Sequence, residues 1–365
     1  MKTRFSDKII EVFAKVKIVK NLARQKFVFS FLLGLIKSRK VQFCEVAQHL
    51  NDQVQPMSNE VRIQDFFRQV KLAYEQVALL MCLFLNCKDK VRLCIDRTEW
   101  DFGKCQVNIL MVLASQGVVQ LPLYWELLDN KSGNSSTQNR KAILGKCIRL
   151  LGKERIGLLI ADREFVGHEW LKYLKDNGIG FCARLPKHHL IERLDGEMQL
   201  PAELAKEQAL HLPDCLVDGV WGQVYLKRLT GGDLLYLFGT MPAKHLGQVY
   251  RRRWTIEACF QSLKSRGFDL ESTHVKDLAK LKKLVALVSI AFAMYVSLGI
   301  HQHERVKKIK VKKHGYKANS FFRHGLNTLR EMLKKEEHVW RQFINKFSRW
   351  LKLKLSVYKP IILAG

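Results

Sequence analysis

The sequence predicts an α/β protein. A mixed sheet in the order β-β-β-α-β-α-β-α is interrupted by a β-rich insertion and flanked by a helical N-terminal domain and a basic, helical C-terminal region. Three observations predict this. Residues 1 to about 88 place apolar side chains at mixed three and four spacing, as in Ile9, Val12, Phe13 and Val16, with Gly and Pro nearly absent. Short, β-branched-rich runs begin at Val91 and are punctuated by Gly103 and Gln116-Gly117. Two later apolar runs each give way to an Asp, Asp96 and Asp162, ahead of a helix with a charged seam.

The elements follow in chain order. Runs 91–100, 105–114 and 118–128 read as antiparallel strands joined by tight turns. A polar loop from Asp129 to Thr137 leads into a helix of about 14 residues that ends at Gly152. Residues 157–161 form a continuous, buried fourth strand; 168–177 is a helix closed by Gly178; 179–185 is a fifth strand stopped by Pro186. Residues 187–245 alternate charge, Gly and short apolar runs such as 222–229 and 234–238. A compact five-stranded sheet takes more strands only by extending an edge, so this insertion is expected to form its own small sheet. There it would sit over the site and offer Trp221, Lys227 or Arg228 to a ligand. The expected domains are 1–88, helical and DNA-binding; 89–300, catalytic and interrupted by 187–245; and 301–365, a basic region for DNA binding or dimerisation.

The formal charge of +28 and a pI near 9.8 point to a polyanionic partner. Nucleic acid is favoured over a membrane surface because the excess is spread along the chain. Residues 1–40 hold 11 Lys/Arg against 2 Asp/Glu, and residues 301–365 hold 17 against 4. Both ends are therefore expected to touch double-stranded DNA, the first with a helix-turn-helix as one option, unless these are packed helices with basic solvent faces. The apolar run 284–300 contains Ser289, Ser297 and Gly299 and reads as a buried core helix, so no membrane partner is expected. Nine cysteines without a CxxC pair read as buried thiols of a reducing cytoplasm, and the twelve histidines show no ligand spacing. The start of the chain shows no signal-peptide pattern, so a cytoplasmic, nucleoid-associated protein is expected.

Tyr250, Arg253, Glu257 and Lys264 stand at offsets that place all four within a roughly 60° wedge of one α-helix. A solvated helix face is the ordinary explanation of such charges. The alternative is a site that holds a phosphodiester beside a metal-binding carboxylate. Asp96 and Asp162 bear on the choice. An Asp closing an apolar strand is costly unless it caps a turn, is paired or binds a metal. In the proposed topology the middle of the first strand and the end of the fourth are neighbours, and the seam helix packs across them. Asp96, Asp162 and Glu257 would converge, and crowded carboxylates repel unless a divalent cation relieves them. Two Mg²⁺ (or Mn²⁺) ions about 3.5–4 Å apart suit such a set of oxygen ligands. The 95 residues between Asp162 and Glu257 are too many for one helix and one strand, which fits the insertion.

The complete set Tyr250, Arg253, Glu257 and Lys264 resembles the Y-x2-R-x3-E-x6-K helix of DDE transposases of bacterial insertion sequences (insertion sequence family four). Supporting stretches are Ile95-Asp96-Arg97-Thr98 with Phe102-Gly103-Lys104, Gly133-Asn134-Ser135 with Thr137, Asp162-Arg163-Glu164-Phe165, and Gly267-Phe268 with Glu271-Ser272-Thr273-His274. The resemblance covers roughly residues 91–300. It implies an RNase H-like core, Asp96, Asp162 and Glu257 as catalytic metal ligands, and cut-and-paste transposition by a homodimer bound to transposon ends and target DNA. It also implies that Arg253, Lys264 and Tyr250 contact DNA phosphates, with Lys104 and Arg163 as further nucleic-acid contacts. Trp254 reads either as core or as a platform for a base displaced during hairpin formation. Trp221 reads either as a turn residue or as a second base contact. A stand-alone nuclease on the same core and an inactive DNA-binding derivative are the alternatives; the intact acids disfavour the second.

Overall fold

The computed structural model describes residues 16–350, apart from 52, 88, 103–104, 129–132, 205–207, 314, 337, 340–341, 344 and 348. Two compact units divide the chain. One holds Met1–Lys88, Asp101–Cys105 and Cys259–Gly365; the other holds Asp89–Trp100 with Gln106–Ala258. The span 89–300 expected to be catalytic therefore runs across both. The helical unit begins with α1 (Leu22–Ser38), α2 (Phe43–Ala47), α3 (Pro56–Gln69) and α4 (Tyr74–Leu85). Asn21 caps α1 by accepting from the Arg24 amide at 2.8 Å. The buried Asn59 amide ties α3 back to the carbonyls of Ala47 and Asn51.

The second unit is built on one mixed sheet. Its strands are β1 (Val91–Phe102), β2 (Cys105–Gln116), β3 (Val119–Leu128), β4 (Ile156–Ala161) and β5 (Phe181–Arg184). Helix α5 (Thr137–Leu151) precedes β4 and α6 (His168–Asp176) precedes β5. A capping box starts α5: the Ser136 hydroxyl accepts from the Asn139 amide while the Asn139 side chain accepts from the Ser136 amide. β1 pairs in parallel with β4, β4 in parallel with β5, and β2 antiparallel with β3. The resulting order β3-β2-β1-β4-β5 is consistent with the expected RNase H-like sheet.

The insertion departs from expectation. It contributes β6 (Ile191–Glu192), β7 (Met198–Gln199), the one-turn α7 (Pro201–Leu204), β8 (Leu210–Val217), β9 (Val220–Arg228) and β10 (Leu234–Gly239). These strands do not form a separate sheet. β10 pairs antiparallel with β5, Leu237–Gly239 against Cys182–Arg184, and the sheet continues to ten strands, β3-β2-β1-β4-β5-β10-β9-β8-β6-β7. The physical reason is the edge of β5. Its unpaired backbone groups need partners, and the nearest apolar strand of the insertion supplies them.

The seam segment also differs from a single helix. α8 (Ala243–Tyr250) passes through a 3-10 turn, Arg251–Arg253, into α9 (Trp254–Leu263). The helical unit then resumes with α10 (Leu278–Arg305) and α11 (Phe321–Met332). By length and composition α10 would pass for a membrane span, but its apolar window is wholly buried, and α1, α4 and α11 pack on it. The Tyr295 hydroxyl donates to the Ile36 carbonyl at 2.9 Å, tying α10 to α1. The basic region after residue 300 is thus not merely an appendage, since Phe322, Leu326 and Leu329 of α11 belong to this core.

The crossing of α10 and α11 depends on two glycines. A Cβ on Gly325 would stand 2.0 Å from the Tyr295 carbonyl oxygen, and one on Gly299 1.8 Å from that of Phe321. Gly325→Ala forces the helices apart and should cost about 2–3 kcal/mol in denaturant unfolding. Gly231→Ala, where a Cβ meets nothing, should stay within about 0.5 kcal/mol of the unsubstituted protein. Equal effects of the two would refute the close helix contact.

Candidate active site

Asp96 and Asp162 are brought together by strand register. Ile95 lies opposite Ala161 in the parallel β1–β4 pair. The next residue of each strand is therefore an Asp, leaving the same face. Asp96 is in mid-strand, while Asp162 follows the end of β4 with its backbone still extended. Neither Asp fits the alternative of a simple surface turn residue, because both meet the same guanidinium.

That guanidinium is Arg253. Its Nη1 lies 3.0 Å from Asp96 Oδ2 and 4.0 Å from Asp162 Oδ2, and its Nη2 lies 2.5 Å from Glu257 Oε1. The Tyr250 hydroxyl donates to Asp162 Oδ1 at 2.9 Å, and the Arg97 backbone amide donates to Asp96 Oδ1 at 2.8 Å. The 3-10 turn explains how Tyr250 and Arg253 act together. Residues three apart are eclipsed in a 3-10 helix, whereas an α-helix separates them by about 60°. The Arg253 guanidinium accordingly lies 5.5 Å from the Tyr250 ring centre.

The electrostatics follow from burial and crowding. Burial pushes the Asp96 carboxyl up to about 6, and the Asp162 charge adds to the rise; the Arg97 amide and Arg253 oppose it. Burial first, then the charge of Asp162, raises the Tyr250 phenol, so it remains a donor. For Arg253 burial acts downward, but Tyr250, Asp162, Asp96 and Glu257 outweigh it and keep the side chain cationic. Cys94, buried two residues before Asp96, has its thiol raised mainly by burial and stays neutral.

Among the described residues, no three His, Cys, Asp or Glu side chains form a group placed to hold a metal ion. In this arrangement the guanidinium of Arg253 lies between the acids. The donor set itself, three carboxylates whose shared contact is a cation, has the hard-oxygen chemistry of Mg²⁺ or Mn²⁺. An arginine that spans three carboxylates supplies their charge balance, and is not free to hold a phosphate at the same time.

The remaining sequence-predicted residues are placed as follows. Trp254 is 68% exposed, so it is not core. With the exposed Arg251 and Arg252 it forms a basic, aromatic strip beside Arg253. Arg163 is also exposed, directly after Asp162. Lys264 lies beyond the end of α9, in the helical unit, 3.6 Å from Glu271. Lys104 lies outside the described residues. Trp221 is in β9 rather than in a turn. The register through β5 and β10 aligns Gln223 with Ile160. Trp221 is therefore at the level of Leu158, three strands away and roughly 20 Å from Asp162 by sheet spacings. Lys227 and Arg228, exposed at the other end of β9, are on the Asp162 side of that register.

Two features escaped the sequence reading. Arg184 ends β5 near Tyr250 and acts against the rise of its phenol; the signal was a charged residue closing a third apolar strand. The other is a polar network around Glu164, whose carboxylate accepts from Arg97 Nε at 3.0 Å.

A family model described as a transposase DDE domain matches residues 90–294, more than half of the chain. No curated protein matches it.

The raised Asp96 carboxyl has a consequence for stability. The unfolded chain releases this proton near 4, whereas the folded protein holds it to about 6. The stabilising proton is thus fully present below pH 4 and lost as pH rises through 6. Asp96→Asn removes that loss. Without divalent ions it should be more stable than the unsubstituted protein at pH 7.5, by about 1–3 kcal/mol, with the gap closing near pH 4. Denaturant unfolding at both pH values measures it, and a variant less stable at pH 7.5 would contradict the assignment.

Proposed function

The chain belongs to the transposase DDE-domain family, and we propose that it is an insertion-sequence transposase of the Y-x2-R-x3-E-x6-K class. It cuts and joins DNA at terminal inverted repeats in a cut-and-paste reaction. The observation that carries this reading is the meeting of Asp96, Asp162 and Glu257 at Arg253, all within the matched span. No ordinary solvated helix face gathers acids from two parallel strands and a helix onto one cation.

In this reading Asp96, Asp162 and Glu257 hold divalent metal, Mg²⁺ or Mn²⁺, as two ions per site. Bound metal supplies the activation of a water or 3′-hydroxyl and the stabilisation of the leaving oxygen at phosphorus. Tyr250 orients the Asp162 carboxylate through its hydrogen bond. Arg253 balances the acids, and would be available to a DNA phosphate where bound metal neutralised them instead. Trp254 offers an exposed face to a displaced base, and Arg163, Arg251, Arg252, Lys227 and Arg228 supply phosphate contacts. Lys104 and Lys264 are further DNA contacts in this reading. Trp221 is too far along the sheet for the same end. The reaction takes place in a homodimer on double-stranded DNA, in the cytoplasm at the nucleoid.

Asp162→Asn keeps an acceptor for Tyr250 but loses a charge. End cleavage should fall on the order of 10³-fold or more while binding to an inverted-repeat duplex is retained in a gel-shift assay. Cleavage near the normal rate would remove Asp162 from the site. Equal cutting of duplexes that lack inverted repeats, with no joined product, would point instead to a nuclease.

The exposed lysines Lys307, Lys308, Lys310, Lys312 and Lys313 test the tail without cutting into the core. If they neutralise phosphates, their joint change to Gln should flatten the dependence of log K on log salt by about 0.9 for each phosphate left without its lysine. An unchanged slope would mean that this charge does not touch the DNA.

A further inference from the structure

Three stretches far apart in sequence are tied into one polar network within the sheet unit. Glu164 Oε2 accepts from Arg97 Nε at 3.0 Å. Its Oε1 accepts from the Ser135 amide at 3.3 Å and the Ser135 hydroxyl at 2.8 Å. The buried Arg140 holds Ser135 in turn, through Nε to the hydroxyl at 2.9 Å and Nη2 to the carbonyl at 2.7 Å. Arg97 Nη1 donates to Asn108 Oδ1 at 3.2 Å, and Asn108 Nδ2 to the Gly133 carbonyl at 3.1 Å. Arg97 also pairs with Glu99.

The location of this network gives it a task. The β1–β4 ladder ends at Ile95 and Ala161, so neither Asp96 nor Asp162 is itself paired in it. Both carry acids that repel. Beyond the ladder Arg253 bridges the two acids from the helix side, and the next cross-link between the two chain segments themselves is the ion pair between Arg97, which follows Asp96, and Glu164, two residues past Asp162. Side chains alternate along β1, so Arg97 leaves the face opposite Asp96. The side-chain network thus lies behind the acids, although the Arg97 backbone amide donates to Asp96 Oδ1 at 2.8 Å and the Glu164 charge acts on that carboxyl.

We propose that Glu164 is a positioning residue: through Arg97 it fixes the middle of β1 against the segment that leaves β4, and so sets the spacing of the Asp96 and Asp162 carboxylates. This rests on the reading of those two residues as metal ligands. The loop 133–136 is part of the device, because Ser135 supplies two of the three donors that hold the Glu164 carboxylate. A cation site made of acids on separate strands binds only as well as their spacing is held. Removing such outer support usually weakens metal binding about 10–100-fold.

The test is Mn²⁺ titration of the full-length protein without DNA, with free Mn²⁺ read by EPR, beside thermal unfolding of each variant. Glu164→Gln should bind Mn²⁺ about 10–100-fold more weakly with its melting temperature little changed. Arg97→Gln should behave alike, and the double variant should lose no more than the worse single. Arg97→Lys should recover part of the loss. Mn²⁺ affinity equal to the unsubstituted protein in Glu164→Gln would overturn the proposal, as would additive losses in the double variant. Should Glu164→Gln fail to fold, Ser135→Ala removes the hydroxyl that donates to Glu164 and accepts from Arg140, leaves the Ser135 amide in place, and should weaken Mn²⁺ binding by less than about 10-fold; unchanged affinity there would overturn it too. Asp162→Asn separates the two levels. If it binds Mn²⁺ normally, the metal-ligand reading fails; if it has lost binding while Glu164→Gln has not, only the positioning role fails.

Discussion

Two carboxylates side by side on neighbouring parallel strands, one within its strand and one just past the end of the other, repel each other, and burial on the sheet makes the repulsion stronger. The chain places Asp96 and Asp162 in that relation through the pairing of Ile95 with Ala161. Everything around them answers the resulting charge. Arg253 reaches both and Glu257 as well, Tyr250 donates to one oxygen of Asp162, and the Arg97 amide donates to one oxygen of Asp96. Even so the Asp96 carboxyl is held at about 6. The site is therefore stabilised only in part, which is the condition in which a small divalent cation has most to gain by binding.

The strand register and the 3-10 turn work as a pair. The register fixes where two acids stand. The tightening of the chain at Arg251–Arg253 turns the guanidinium toward them while leaving Arg251, Arg252 and Trp254 outside. One short segment thus presents a cation inward and a basic, aromatic strip outward. In the function proposed above, the inward surface would serve the reacting phosphorus and the outward one the flanking DNA.

Much of this was legible in the sequence, for physical reasons. Strands β1 to β5 showed as short apolar runs between Gly, Pro and polar punctuation, and an Asp that closes such a run marks itself by its cost. Helical spacing grouped Tyr250, Arg253 and Glu257. It also assumed one unbroken α-helix, whereas a 3-10 turn interrupts the segment at Arg251–Arg253 and α9 ends at Leu263. The insertion showed its strands but not their partners. Pairing is a long-range choice, decided here by the open edge of β5, and it moved Trp221 away from the acids. The Arg97–Glu164–Ser135 network was invisible because its members lie in three separate stretches whose charges each look ordinary. The close crossing at Gly299 and Gly325 was hidden likewise, since neither glycine breaks its helix.

Arg253 supplies the charge balance of the three acids, a role that bound metal would take over. The most direct measurement is a crystal structure of the protein soaked in Mn²⁺, with anomalous density used to locate the ion. The account predicts Mn²⁺ at the carboxylates of Asp96 and Asp162, with the Arg253 guanidinium withdrawn from at least one of the acids it now touches. Arg253 still bound to all three acids at saturating Mn²⁺, with any anomalous peak elsewhere, would contradict it.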